Sequence, residues 1–260
     1  MKKLLTCLLA GAMALSLVGC GGSGSDDSLQ RIKDAGAINI GLEGDWQPFS
    51  YHNENDELVG YDVEVAKEIA KRIGVEAKIT EAPWDGLLTG LSTGVYDIVV
   101  NGVDVTEERQ KTFDFSDPYA YDHIDLVVKN DNSDITTFDD LKGKKTANST
   151  GSTYAEWGTK YGAEVSNVPT LAETMELVLN GTVDATINAD TSVQDYLNTT
   201  GETGLKIVAK SDEATEYAIP IKKGSYSLRE AINKAIADMR SDGTLADLSK
   251  KYFGADLTEK

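Results

Sequence analysis

GVEAKIT (74–80) leads to GVYDIVVN (94–101), and GAEVSNV (162–168) leads to GTVDATIN (181–188). From first Gly to closing Asn the two are 27 and 26 positions apart, and both stretches end on Asp-x-x-x-Asn. Each holds a strand-like run, then a helical pattern, then an apolar run without alternation, as expected of a strand buried on both faces. In the first unit, Val75 to Thr80 reads as a strand, Asp85 to Ser92 as a short helix stopped near Gly94, and Tyr96 to Val100 as the buried strand. In the second, Thr170-Leu-Ala-Glu173 is a capping box that opens a helix with Leu171, Met175, Val178 and Leu179 on one face. Gly181 closes that helix, and Val183 to Asn188 is the next buried strand. A recurring unit of this length predicts an α/β protein of two lobes built alike.

The flanking sequence extends both lobes. Ala37 to Leu42 reads as a strand, and Asp62 to Ile73 as a helix with Ala66, Ile69, Ala70 and Ile73 on one face. Near the C-terminus, Ser227-Leu-Arg-Glu230 has the form of a second capping box, opening a helix with Leu228, Ile232, Ile236 and Met239 inward. Gly243 ends that helix, and a last one is predicted from about Leu245 to Tyr252. A chain that crosses to a second lobe and returns needs two connections, for which Ile124 to Val128 and Tyr217 to Ile221 are the extended candidates. Ligands of open α/β sheets bind beyond the carboxyl ends of the strands, so the cleft between the lobes is the expected site.

The first 20 residues, MKKLLTCLLAGAMALSLVGC, place Lys2 and Lys3 before an apolar stretch from Leu4 to Val18. That stretch is shorter than the ~20 residues a spanning helix needs and reads as a removable export signal. Its ending, Leu17-Val18-Gly19-Cys20, resembles the lipobox of bacterial lipoproteins, which implies cleavage before Cys20 and a lipid on its sulfur. Cys7 leaves with the signal, so disulfides, thiol catalysis and Cys-based metal sites drop out. The following GGSGSDDS is a Gly/Ser tether. Without Lys2 and Lys3 the chain keeps 43 acids against 23 bases, a net charge of −20. Such a surface repels nucleic acid and anionic lipid. His52 and His123 have no spaced acid or Cys pattern around them, and no metal or cofactor is expected.

Two elements near strand ends suit an anion. In DVTEERQ (104–110), Thr106 is placed to cap a helix whose first turn carries Glu107, Glu108 and Arg109. The planar fork of Arg109 suits a carboxylate, while a surface pair with Glu107, Glu108 or Asp114 is the plain alternative. In the second lobe, NSTGSTY (148–154) is a Gly/Ser/Thr loop before a helical pattern, which aims backbone N–H groups at an anion.

The order of GLEGDWQPF (41–49), LVGYDVEVAKEIAKRIG (58–74), WDGLLTGLSTGVYDIVV (84–100), GVDVTEERQKTFDFSDPY (102–119), DDLKGKK (139–145), TGSTY (150–154) and LREAINKAIADMRSDGTLADLSKKYFG (228–254) resembles the solute-binding proteins of polar amino acid ABC transporters, family 3, in lipoprotein form. The resemblance covers the chain from Leu29 on. It implies a type II periplasmic-binding-protein fold: two α/β lobes joined by two hinge strands, closing over a free amino acid. The implied division is a signal peptide at 1–19, a lipidated Cys and tether at 20–28, lobe 1 at 29–122 and 219–260, and lobe 2 at 123–218.

Carried across, Arg109 would pair with the ligand α-carboxylate, helped by the backbone and hydroxyl of Ser152. Trp46 would stack on the ligand, Glu43 would stand near its side chain, and the Gly102 carbonyl would meet the α-ammonium. Trp84 and Tyr154 are further wall candidates. Two departures stand out, since members usually have Ser or Thr at the position of Asp104 and Asp at that of Ala189. A buried ammonium needs a carboxylate nearby. The acid is therefore expected to have moved to the first lobe as Asp104, with Asp190 its rival.

The implied function is capture and delivery to the membrane permease of an ABC importer by a monomer anchored outside the cytoplasm through its lipid, without catalysis. A dehydratase-like enzyme on the same scaffold and an extracellular sensor module are the alternatives. The INADTSVQDYL and NGVDVT segments resemble the cystine/cysteine-like branch; a neutral ligand such as Gln comes second and a basic one third.

Overall fold

The computed structural model describes residues 26–260, so the expected signal peptide and Cys20 lie outside the described residues. The chain opens with α1 (Ser28–Ala35) and β1 (Ala37–Leu42), then a small antiparallel meander of β2 (Asp45–Trp46), β3 (Ser50–His52) and β4 (Leu58–Val59). It continues through α2 (Tyr61–Ile73), β5 (Glu76–Glu81), α3 (Trp84–Thr93), β6 (Ile98–Val99), α4 (Glu107–Thr112) and β7 (Phe113–Phe115). From β8 (Ala120–Asp122) it passes into β9 (Ile124–Lys129), β10 (Lys145–Asn148), α5 (Thr153–Lys160), β11 (Glu164–Asn167), α6 (Leu171–Leu179), β12 (Ala185–Ala189), α7 (Asp190–Thr200) and β13 (Leu205–Lys210). It returns along β14 (Thr215–Tyr217) to β15 (Pro220–Lys222), α8 (Tyr226–Ser241) and α9 (Thr244–Phe253).

Two five-stranded sheets result, ordered β5-β1-β6-β15-β7 and β11-β10-β12-β9-β13. In each, a first strand lies between two parallel partners: β1 between β5 and β6, β10 between β11 and β12. The repeated Asp-x-x-x-Asn has the same use in both sheets. Asp97 exchanges hydrogen bonds with the Asn39 backbone, accepting from its N–H at 2.9 Å, and Asp184 does the same with Lys145 at 2.7 Å. Four residues on, Asn101 and Asn188 both stand at the cleft. The duplicated pattern thus anchors one end of a buried strand and delivers an amide at the other.

Three expectations need correction. Ile124 to Val128 is no connection: as β9 it lies inside the second sheet between β12 and β13, which is why it is apolar throughout. The crossing is made one step earlier by β8, paired antiparallel with β14, and only Tyr217 of the second candidate run belongs to this ribbon. Tyr96 to Val100 forms a ladder only at Ile98–Val99 and is antiparallel to β15 on its other side. Ser227 does not cap a helix: α8 starts at Tyr226, and the Ser227 hydroxyl faces Ser28 Oγ at 3.1 Å and accepts from the Leu29 N–H at 3.2 Å. The hydroxyl ties the start of α8 to α1 instead.

Beside the ribbon sits an acidic pair with one buried member. Asp125 is fully buried with neither carboxylate oxygen bonded, and neighbouring Asp190 pairs with Lys210 at 2.7 Å. Burial, then the Asp190 charge, holds the Asp125 carboxyl above its ordinary range, so the folded chain keeps a proton there that the unfolded chain gives up near pH 4. The folded state therefore loses stability as pH rises above ~4 toward the raised value. Asp125→Asn should raise the melting temperature by about 2–4 °C or more per kcal/mol regained at pH 7–8 and leave it unchanged near pH 4. Thermal scans across pH check this, and equal shifts at both ends would refute the buried acid.

Candidate functional site

The cleft between the two sheets encloses about 490 Å3 of empty space, the solvent at its mouth included. The first lobe contributes Glu43, which follows β1, Asp45 and Trp46 of β2, Trp84 at the start of α3, and Asn101, Gly102 and Asp104 after β6. The second contributes Ser149, Ser152, Thr153 and Tyr154 from the turn into α5, Pro169 to Leu171 from the turn into α6, and Asn188. These turns follow the carboxyl ends of parallel strands, where α/β sheets place their ligands.

Asp104 is the centre of one end. Its residue is 6% exposed; one carboxylate oxygen accepts from the Thr153 hydroxyl across the cleft, and the other, Oδ1, has no partner. Burial pushes its carboxyl up, and the nearby Arg109 charge pulls the other way. A buried carboxylate oxygen left unpaired is costly unless a donor arrives. Arg109 is capped into place as expected, with its N–H bonded to Thr106 Oγ1 at 3.2 Å. Its guanidinium does not itself line the cleft. It stands 5.2 Å from the centre of the Trp84 ring and donates to the Asp104 carbonyl at 3.0 Å and, across the lobes, to the Gly151 carbonyl at 3.2 Å.

Ser152 behaves differently from the expectation. Its hydroxyl caps α5, accepting from the Ala155 N–H at 3.1 Å, and gives its one proton to the Ser149 carbonyl at 2.7 Å. The Ser152 N–H is spent on the same carbonyl. An anion at this helix end is left with the N–H groups of Thr153 and Tyr154, the first two of α5.

Gly102 has φ +49°, and a Cβ there would fall 2.7 Å from the Trp46 ring. The indole therefore requires glycine beneath it. Trp46 stacks on Phe49 with centroids 4.2 Å apart and lines the cleft. The Gly102 N–H donates to the Tyr119 hydroxyl at 3.0 Å, which donates to the fully buried Asp62 at 2.7 Å. This chain fixes Gly102, whose carbonyl, among the described residues, accepts no hydrogen bond.

At the other end, Glu43 accepts from the Asn101 amide at 2.7 Å, and the Asn101 carbonyl accepts the Glu43 N–H at 2.7 Å. Burial raises the Glu43 carboxyl to about 7, against the lowering effect of Asn101. Tyr154 meets Tyr217 hydroxyl to hydroxyl at 3.2 Å on the hinge side. Besides Arg109, which stands behind the lining, Asp190 is the other candidate the structure keeps out of it, since it opens α7 and is held by Lys210. Ala189 is fully buried in β12, so no acid reaches the cleft from that strand end. Sequence reasoning missed Thr153, Asn101 and the Asp62–Tyr119 support; the Asn at the end of the duplicated motif was the available signal for Asn101.

Among the described residues no group of His, Cys, Asp and Glu has the arrangement of a metal site, and no helix is long and apolar enough to cross a membrane.

The model of bacterial extracellular solute-binding proteins, family 3, matches residues 38–255. The chain belongs to that family. As a family 3 solute-binding protein it is 36% identical to the L-cystine-binding protein TcyA of Bacillus subtilis over the full length of both chains. An ancestral arginine-binding protein bound to arginine superposes with a TM-score of 0.80 at 36% identity, covering 84% of this chain and 99% of that one. The L-cystine solute receptor of Neisseria gonorrhoeae in its unliganded open conformation is 37% identical, covers 90% and 99%, and superposes at 0.61. At 36% and 37% identity, the liganded protein fits better than the open one. The Arg109–Gly151 and Asp104–Thr153 contacts across the cleft agree: the lobes of this family 3 protein are closed.

Proposed function

We propose that the chain captures a free amino acid between its lobes and presents the closed form to the permease of an ABC importer, without chemical conversion. The observation that carries this reading is Asp104, which lines a cleft formed by both lobes while its buried Oδ1 has no hydrogen-bond partner. The ligand ammonium completes Asp104 and the Gly102 carbonyl. The ligand carboxylate takes the first N–H groups of α5, with Arg109 as counter-charge, and Trp46 and Trp84 form the walls. Because these groups come from both lobes, the ligand binds the closed state better than the open one, which is what drives closure. Cystine/cysteine is the cargo favoured by the L-cystine-binding relatives, with another polar amino acid second.

The lobes divide at 29–122 and 219–260 against 123–218, consistent with which sheet each strand joins. The chain acts as a monomer held outside the cytoplasm by lipid on Cys20. Calorimetry of a soluble chain from Gly21 on, titrated with the twenty amino acids and cystine, tests the reading. Micromolar or tighter binding of one ligand class is expected, and no heat from any of them would refute amino acid capture.

A further inference from the structure

Behind the Gly102 loop, two polar side chains stand where an apolar core would serve stability better. Asp62, in the first turn of α2, and Tyr119, which leads into β8, are both 0% exposed. The Tyr119 hydroxyl accepts from the Gly102 N–H at 3.0 Å and donates to Asp62 Oδ1 at 2.7 Å, while Asp62 Oδ2 has no partner. Leu at position 62 and Phe at 119 would fill similar space without burying a carboxyl, whose unpaired oxygen costs stability. A local cost of this kind is expected where the groups serve the site. Their own backbone is well anchored. The Asp62 N–H donates to the Phe49 carbonyl at 2.9 Å, the Tyr61 hydroxyl to the Tyr119 carbonyl at 2.9 Å, and the Tyr119 N–H to the Tyr217 carbonyl at 2.9 Å. The relay is thus fixed at its far end, and what it grips at the near end is a glycine.

Resting on the amino acid reading, we propose that Tyr119 and Asp62 are positioning residues for the ligand ammonium, which through the Gly102 N–H fix the direction of the Gly102 carbonyl. Gly102, at φ +49° beneath the Trp46 ring, has no Cβ to restrict its backbone. Its direction therefore depends on what holds its two neighbouring peptides. On the far side, the Val103 carbonyl accepts from the Ala218 N–H at 3.1 Å. On the near side, the Asn101–Gly102 peptide is held by the Tyr119 hydroxyl. Between these anchors lies the Gly102 carbonyl, in the lining of the cleft. A hydrogen bond weakens steeply with misalignment, so a turned carbonyl loses the ammonium and leaves the carboxylate contacts untouched. Asp62 acts one step further back. It takes the Tyr119 proton, so the lone pairs of that hydroxyl face Gly102, and without this acceptor the hydroxyl loses its orientation.

The test measures binding of L-cystine, L-glutamine and L-arginine to the chain from Gly21 on, each against its des-amino analogue: dithiodipropionate, glutaramate and δ-guanidinovalerate. For an amino acid that binds, Tyr119→Phe should weaken affinity about tenfold, the upper size of one hydrogen bond, and should change that of its analogue, which lacks the ammonium, by less than about threefold. The Gly102 amide proton should move upfield in the NMR spectrum of the same variant. Asp62→Leu should weaken the amino acid likewise while melting at the same or a higher temperature, because the unpaired carboxyl is gone. Asp62→Asn, which still offers an oxygen to the Tyr119 hydroxyl, should recover most of that loss. Equal losses for amino acid and analogue, or unchanged amino acid affinity in a folded Tyr119→Phe or Asp62→Leu chain, overturn the proposal while leaving amino acid capture standing. Absence of binding by all three amino acids to the unaltered chain overturns the capture reading and the proposal with it.

Discussion

Arg109→Ala weakens every amino acid ligand alike, by ~2–5 kcal/mol, the effect of truncating one partner of a buried charge pair. Arg109 is 7% exposed, and among the described residues no Lys, Arg or His lines the cleft. A carboxylate drawn into the cleft thus has no substitute counter-charge. The loss has a second source, because the same guanidinium bridges the lobes through the Gly151 carbonyl and braces the Asp104 loop through its carbonyl. Arg109→Lys separates the two: it keeps the charge but loses the fork that reaches two carbonyls at once. It is expected to recover part of the affinity, and calorimetry on both variants with the cognate ligand reads the difference. Unchanged affinity in Arg109→Ala would refute the carboxylate role.

The duplicated unit was legible because its information is local. Strand–helix–strand spacing, capping at Thr170 and the Asp-x-x-x-Asn ends each act within about 30 residues, and all reappear in the two parallel triplets of strands. The hinge was misplaced because an apolar run reports burial, and β9 is buried as the inner strand of a sheet, not as a connection. The ribbon that does connect the lobes, β8 with β14, contains polar residues and carries no such signal. In the cleft, Glu43, Trp46, Trp84, Gly102, Asp104, Ser152 and Tyr154 all meet at one cavity, whereas Asp190 goes to Lys210. The hydroxyl of Ser152 could not be assigned from sequence because its capture by Ser149 and Ala155 is decided by how the loop folds into α5.

Asp104→Asn should cost an amino acid ligand ~3–5 kcal/mol, since it removes the carboxylate that offsets a buried ammonium while preserving shape. The side chain also lies 3.8 Å from Arg109, so a loss of affinity alone would leave two explanations. A des-amino analogue of the ligand decides between them. If Asp104 holds the ammonium, the analogue, which has none, binds Asp104→Asn as well as or better than it binds the unaltered chain, because the variant no longer buries an unpaired carboxylate oxygen. If Asp104 only positions Arg109, both ligands lose alike through the carboxylate they share. The double variant Asp104→Asn with Arg109→Ala sharpens the reading: losses that add identify two groups acting on different ends of the ligand head, and losses that overlap identify one coupled unit. The structure favours the first outcome, because the Asp104 oxygen near Arg109 is the one already bonded to Thr153, and the oxygen left free is the other.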